Sequence, residues 1–113
     1  MGLFGFGRKK RVDNLVRNRE FLAKYKNEVN GLLIFTEKSE KVTEELKALQ
    51  KDFLYTTPSS NSDAKAIEKK IVTEFKKLTD SLQQPTWDED AVLLNIKIIR
   101  KYIVDIASTS RRK

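Results

Sequence analysis

The chain has 113 residues, room for one domain and not for two, and Leu, Ile, Val and Phe supply 33 of them, the apolar content of a folding chain. It carries 23 Lys and Arg against 16 Asp and Glu, a formal net charge of +7, with neither Cys nor His. Those absences exclude disulfides, thiolate nucleophiles, histidine-based catalysis and nearly every zinc site, and the longest charge-free stretch, residues 53–62, is about half the length a membrane-spanning helix needs.

Residues 1–11 read as a flexible basic and aromatic tail. Gly2, Gly5 and Gly7 alternate with Leu3, Phe4 and Phe6, a glycine density that weakens a helix, and the run Arg8, Lys9, Lys10, Arg11 follows. Such a segment can rest its aromatic rings at a lipid interface and its cations among anionic headgroups. Phe4, Phe6, Arg8, Lys9, Lys10 and Arg11 are therefore the candidate anionic-surface site. Apolar residues before basic ones reverse the order of a secretory signal, so the expected location is cytoplasmic, with peripheral contact to the inner leaflet. Gly2 would suit N-myristoylation, but Phe6 stands where that motif wants Ser or Thr.

Residues 12–110 read as a single helical bundle domain, with 111–113 as a basic tail. Asp13 is a candidate N-cap, after which Leu15, Leu22, Tyr25, Val29 and Leu32 recur on one helical face. The stripe resumes at Phe35, Val42, Leu46, Leu49 and Phe53 after one irregular three-residue step, a stammer in heptad terms. No proline interrupts residues 13–54, which predicts an unbroken helix about 63 Å long, half of it projecting from a three-helix bundle. In that arrangement Leu15, Leu22, Tyr25 and Val29 have no intramolecular partner and form the face for a partner helix or a second copy. The alternative is a compact four-helix bundle with a break near Gly31 to Ser39.

Residues 55–62 form a loop by composition, rich in Thr, Ser and Asn around Pro58. Ser62 or Asp63 can cap the next helix, whose stripe is Ala64, Ile67, Ile71, Phe75, Leu78 and Leu82. Gln83 to Pro85 end it, and Thr86 with Glu89 fits a capping box for the last helix. There Val92, Ile96, Ile99, Ile103 and Ile106 form the face, widened by Leu93, Ile98, Tyr102 and Val104, so this element should be the most buried. Trp87 is expected to close an end of the bundle. The fold class is all-α.

The charge excess gathers in residues 1–30, with eight basic and three acidic side chains; Lys10, Arg17 and Lys24 share a helical face, as do Arg19 and Lys26. Glu37, Glu40, Glu44 and Glu45 alternate with Lys38, Lys41 and Lys47, the pattern of a solvated surface, and Asp88, Glu89 and Asp90 suit a helix N-terminus better than a calcium loop. No catalytic arrangement, metal-ligand set, cofactor loop or small-molecule substrate site is legible. The reading is a non-catalytic helical interaction or adaptor module, with a protein partner or self-association and an anionic membrane surface as its expected contacts, and nucleic acid as the alternative.

Overall fold

The apolar stripes assemble into four helices: α1 (Gly2–Leu33), α2 (Glu40–Tyr55), α3 (Ala64–Leu82) and α4 (Glu89–Ser110). This computed structural model describes the backbone of residues 2–111 and the side chains of residues 10–111, and no strand occurs among the described residues.

The unbroken first helix is corrected: the chain turns at residues 34–39, and the four-helix alternative is the architecture. Folding back lets Leu22, Tyr25, Val29 and Leu32 of α1 bury themselves with Val42, Leu46, Leu49 and Phe53 of α2. Burying such side chains is worth about 1.5–3 kcal/mol each, far more than the few helical hydrogen bonds lost. The turn also supplies partners for the freed backbone groups. Phe35 N–H donates to Leu32 O at 3.0 Å and Thr36 N–H to Leu33 O at 3.2 Å, tightening the end of α1. Thr36 is fully buried, its hydroxyl 2.8 Å from that of Thr43, which donates to Thr36 O at 2.8 Å. Ser39 is extended and caps α2, accepting from Val42 N–H at 3.2 Å. Phe35, expected on the stripe, sits in the turn and is 39% exposed.

α1 starts before the expected cap, so Asp13 lies inside it, and residues 2–11, expected as a separate tail, continue it in their backbone. Glycine weakens a helix by about 1 kcal/mol per residue without forbidding its backbone angles. At α4 the cap is Asp88, whose Oδ2 accepts from Ala91 N–H at 3.3 Å, and not Thr86. Glu89 instead accepts from the Ser39 hydroxyl at 2.7 Å, tying the two turns together.

α1 with α2 and α3 with α4 form two antiparallel hairpins. α2 packs along α4, α1 meets α3 more sparsely, and the loop at residues 56–63 crosses the diagonal from α2 to α3. The core runs along the axis, with the five predicted α4 residues Val92, Ile96, Ile99, Ile103 and Ile106 all at most 2% exposed. On α3, Ile71, Phe75, Leu78 and Leu82 join it while Ile67 is only partly buried, and Trp87 packs against its edge. Tyr25 is its aromatic centre, with ring centroids 4.7 Å from Phe21, 4.9 Å from Phe75 and 6.0 Å from Phe53. Burial pushes its phenol above the usual range, and the nearby Glu28 carboxylate adds to the shift.

The molecule measures 58 × 20 × 19 Å. Among the described side chains Asn14 is the first of α1 to hydrogen-bond across to another element, donating to Ser60 O at 3.3 Å. The twelve α1 residues before it extend about 18 Å further.

Candidate functional site

The extension of α1 carries the sequence-predicted cationic run. Lys10 and Arg11 are exposed on it, as are Val12 and Asp13, while the side chains of Phe4, Phe6, Arg8 and Lys9 lie outside the described residues. No acidic residue precedes Asp13. Val16 and Arg19 continue the exposed surface upward along the helix.

The predicted partner-helix face lies elsewhere. Leu22, Tyr25 and Val29 are 3%, 8% and 0% exposed inside this chain's own core, and Leu15 is half-buried. The hairpin supplies the intramolecular partner that an unbroken helix would have lacked.

What fixes the direction of the extension is a polar clamp where α1, α3, α4 and the diagonal loop meet. Asn18, with no exposed surface, donates from Nδ2 to Glu68 Oε2 at 2.7 Å and accepts on Oδ1 from Ser59 N–H at 2.8 Å. Arg17 engages the same carboxylate, Nε to Oε1 at 3.2 Å and a second, longer bond of 3.4 Å from its other arm. The Thr109 hydroxyl reaches Ser59 Oγ at 2.8 Å, and Asn61 Nδ2 donates to Thr109 O at 3.4 Å. Glu68, Ser59 and Thr109 are all buried, and among the described residues no buried side-chain polar atom lacks a partner. The clamp holds α1 in register against α3 where apolar packing between them is thin.

Sequence reading missed this cluster, although a signal exists. Asn18 and Glu68 stand on the apolar faces of their helices, in the gap between Leu15 and Leu22 and one turn after Ala64. Ser59 and Thr109 carry no such mark, since only the tertiary fold brings the loop and the α4 terminus to Asn18.

A second feature is an open groove of about 1020 Å³ between α2 and α4, with Leu93, Leu94, Ile98 and Val104 on one wall. Arg100 bridges its floor, donating from Nε to Asp52 Oδ2 at 2.7 Å and from Nη1 to Glu45 Oε2 at 3.2 Å. The hydrogen bond to Asp52, with the charges of both carboxylates, holds the guanidinium above its usual range against partial desolvation.

Among the described residues no group of three or more Asp or Glu is placed to hold a metal ion, and no helix is long and apolar enough to cross a membrane. No protein family, curated protein or solved structure matches this chain.

Proposed function

We propose that this chain is a non-catalytic helical interaction module whose basic N-terminal end docks on an anionic surface, the cytoplasmic leaflet of a membrane, while the four-helix body is offered to a protein partner. One observation carries the reading: α1 continues as helix beyond the body, holds an acid-free segment with the run Arg8 to Arg11, and exposes Lys10 and Arg11. Each basic side chain at an acidic lipid surface contributes about 1 kcal/mol, so four give weak, reversible attachment that salt can release. Leu3, Phe4 and Phe6, preceding the run in the sequence, are the apolar complement such attachment uses. With Leu22, Tyr25 and Val29 committed to the core, the body does not depend on a second copy to bury that face.

Flotation with phosphatidylcholine vesicles, with and without phosphatidylserine, tests the proposal. Binding should require the acidic lipid and weaken as salt rises. Phe4→Ser with Phe6→Ser should weaken it, and neutralising Arg8, Lys9, Lys10 and Arg11 should abolish it. Equal binding to neutral vesicles, or none to acidic vesicles at low salt, overturns the reading. Salt-sensitive binding to nucleic acid with no vesicle binding, unaffected by the phenylalanine changes, would replace it with the nucleic-acid alternative.

A further inference from the structure

The two hairpin turns lie together at one end of the long axis, where Ser39 bonds Glu89 and Lys38 Nζ reaches Pro85 O at 3.3 Å. The other end holds the α1 extension, the diagonal loop, the start of α3 and the end of α4, joined through Asn18, Ser59 and Thr109. Charge is sorted along that axis. Residues 27–44 and 76–93, at the turn end, carry eight acidic and four basic side chains. At the opposite end, residues 10–19, 52–69 and 101–111 carry eight basic and five acidic; Arg17, one of the eight, is paired with Glu68, and Asp52 is paired with Arg100 from outside the set. Arg8 and Lys9 precede this set along α1, and Arg112 and Lys113 follow Arg111 in the chain. Two helices point each way, so their backbone dipoles cancel and the polarity belongs to the side chains.

We infer that the molecule meets the anionic membrane end-on, with Lys65 and Arg111 adding to the N-terminal basic run and the acidic turn end held away from the lipid. The inference rests on the surface-docking function proposed above and specifies its orientation and its further contacts. Helical rise gives the heights. The Glu68 contacts with Arg17 and Asn18 set α3 against α1, which places Lys65 about 5 Å above the level of Arg11. The shared contacts of Thr109 and Asn18 with Ser59 place Arg111 about 8 Å above it. With residues 2–10 seated in the headgroup layer and Arg11 at its edge, both lie within about one Debye length of the lipid surface at physiological ionic strength, roughly 8 Å. Glu28, the lowest acidic residue of the turn end on α1, is about 26 Å above Arg11, some three Debye lengths away. Lying on its side, the molecule would bring the acidic end within one Debye length of the same negative surface, so electrostatics select the upright pose.

A basic side chain at the surface is worth about a factor of five in partitioning, and its energy decays over about 8 Å. Lys65→Gln with Arg111→Gln should therefore weaken binding to vesicles containing phosphatidylserine about fourfold. The same charge change at the far end, Lys41→Gln with Lys76→Gln, should alter it by less than about 1.3-fold. Because the chain has no cysteine, Ser62→Cys, close to the level of Arg11, and Glu37→Cys, in the acidic turn beyond the end of α1 roughly 33 Å above it, can each carry a single fluorophore. Energy transfer to an acceptor lipid should be stronger from position 62 than from position 37. Equal transfer from both positions, or equal losses from the two neutralised pairs, overturns the end-on pose while leaving surface docking intact. Failure of the parent protein to bind acidic vesicles overturns both.

Discussion

Replacing Asn18 with Asp changes one atom group at the centre of the polar clamp without opening a cavity. The Nδ2 that donates to Glu68 at 2.7 Å becomes a carboxylate oxygen, so a buried hydrogen bond to a charged group is lost and two negative groups face each other. The lost bond alone costs about 1.5–3 kcal/mol. The repulsion has a ceiling, because the pair can take up a proton and share it. Holding a proton on a carboxyl of ordinary pKa near 4 costs about 4 kcal/mol at pH 7. The destabilisation should therefore fall between about 2 and 4 kcal/mol at neutral pH. With an unfolding entropy of about 2.1 cal/mol/K per residue, 113 residues give a Tm drop of about 8–17 °C, read by circular dichroism melts. The folded variant binds the shared proton more tightly than the unfolded chain does. Its stability is thus recovered at low pH and lost as pH rises through the folded-state pKa of the pair, so the gap to the parent should shrink to under about 1 kcal/mol near pH 4. Adding Glu68→Gln should restore a donor to the bond and recover at least half the loss at pH 7. A gap that is equal at both pH values, or absent at neutral pH, refutes the clamp as described.

Gly31 lies within α1, and a methyl group there meets no atom within 4 Å, so Gly31→Ala should raise stability by about 0.5–1 kcal/mol; a lower Tm would show that its backbone is not helical. Ile99 has no exposed surface, so Ile99→Asp places a charge in the core and should abolish the cooperative melt, whereas an unchanged melt would mean the face is misplaced. Tyr25 binds its phenolic proton more tightly when folded, so its contribution is complete below about pH 10 and lost as pH rises through the raised folded value. Alkaline melts should accordingly show Tyr25→Phe gaining on the parent as pH rises from about 10 through the raised folded value, and parallel curves across that range would contradict the burial of the phenol.

Much of the helical architecture is legible locally, because a 3.6-residue period marks a buried face whatever it packs against. The stripe of α2 and the central stripe of α4 emerge in the core as spaced in the chain, as does most of that of α3, while Val104, expected to widen the α4 face, is 65% exposed because it lies on the side of α4 turned away from the core. The break between α1 and α2 is a different kind of fact. Residues 34–39 contain no proline, and whether they turn depends on what Leu22, Tyr25 and Val29 gain by meeting Leu46 and Phe53, a sum over contacts distant in sequence. The cap of α4 shifted for a similar reason: Glu89 is held by Ser39 across the two turns, and the helix starts from Asp88 instead of Thr86. The basic run Arg8 to Arg11 needed no structure to be noticed. That Lys65 and Arg111 share its end of the molecule, and that acidic residues collect at the other, follows from the diagonal loop, since charge is counted along a chain but acts through space.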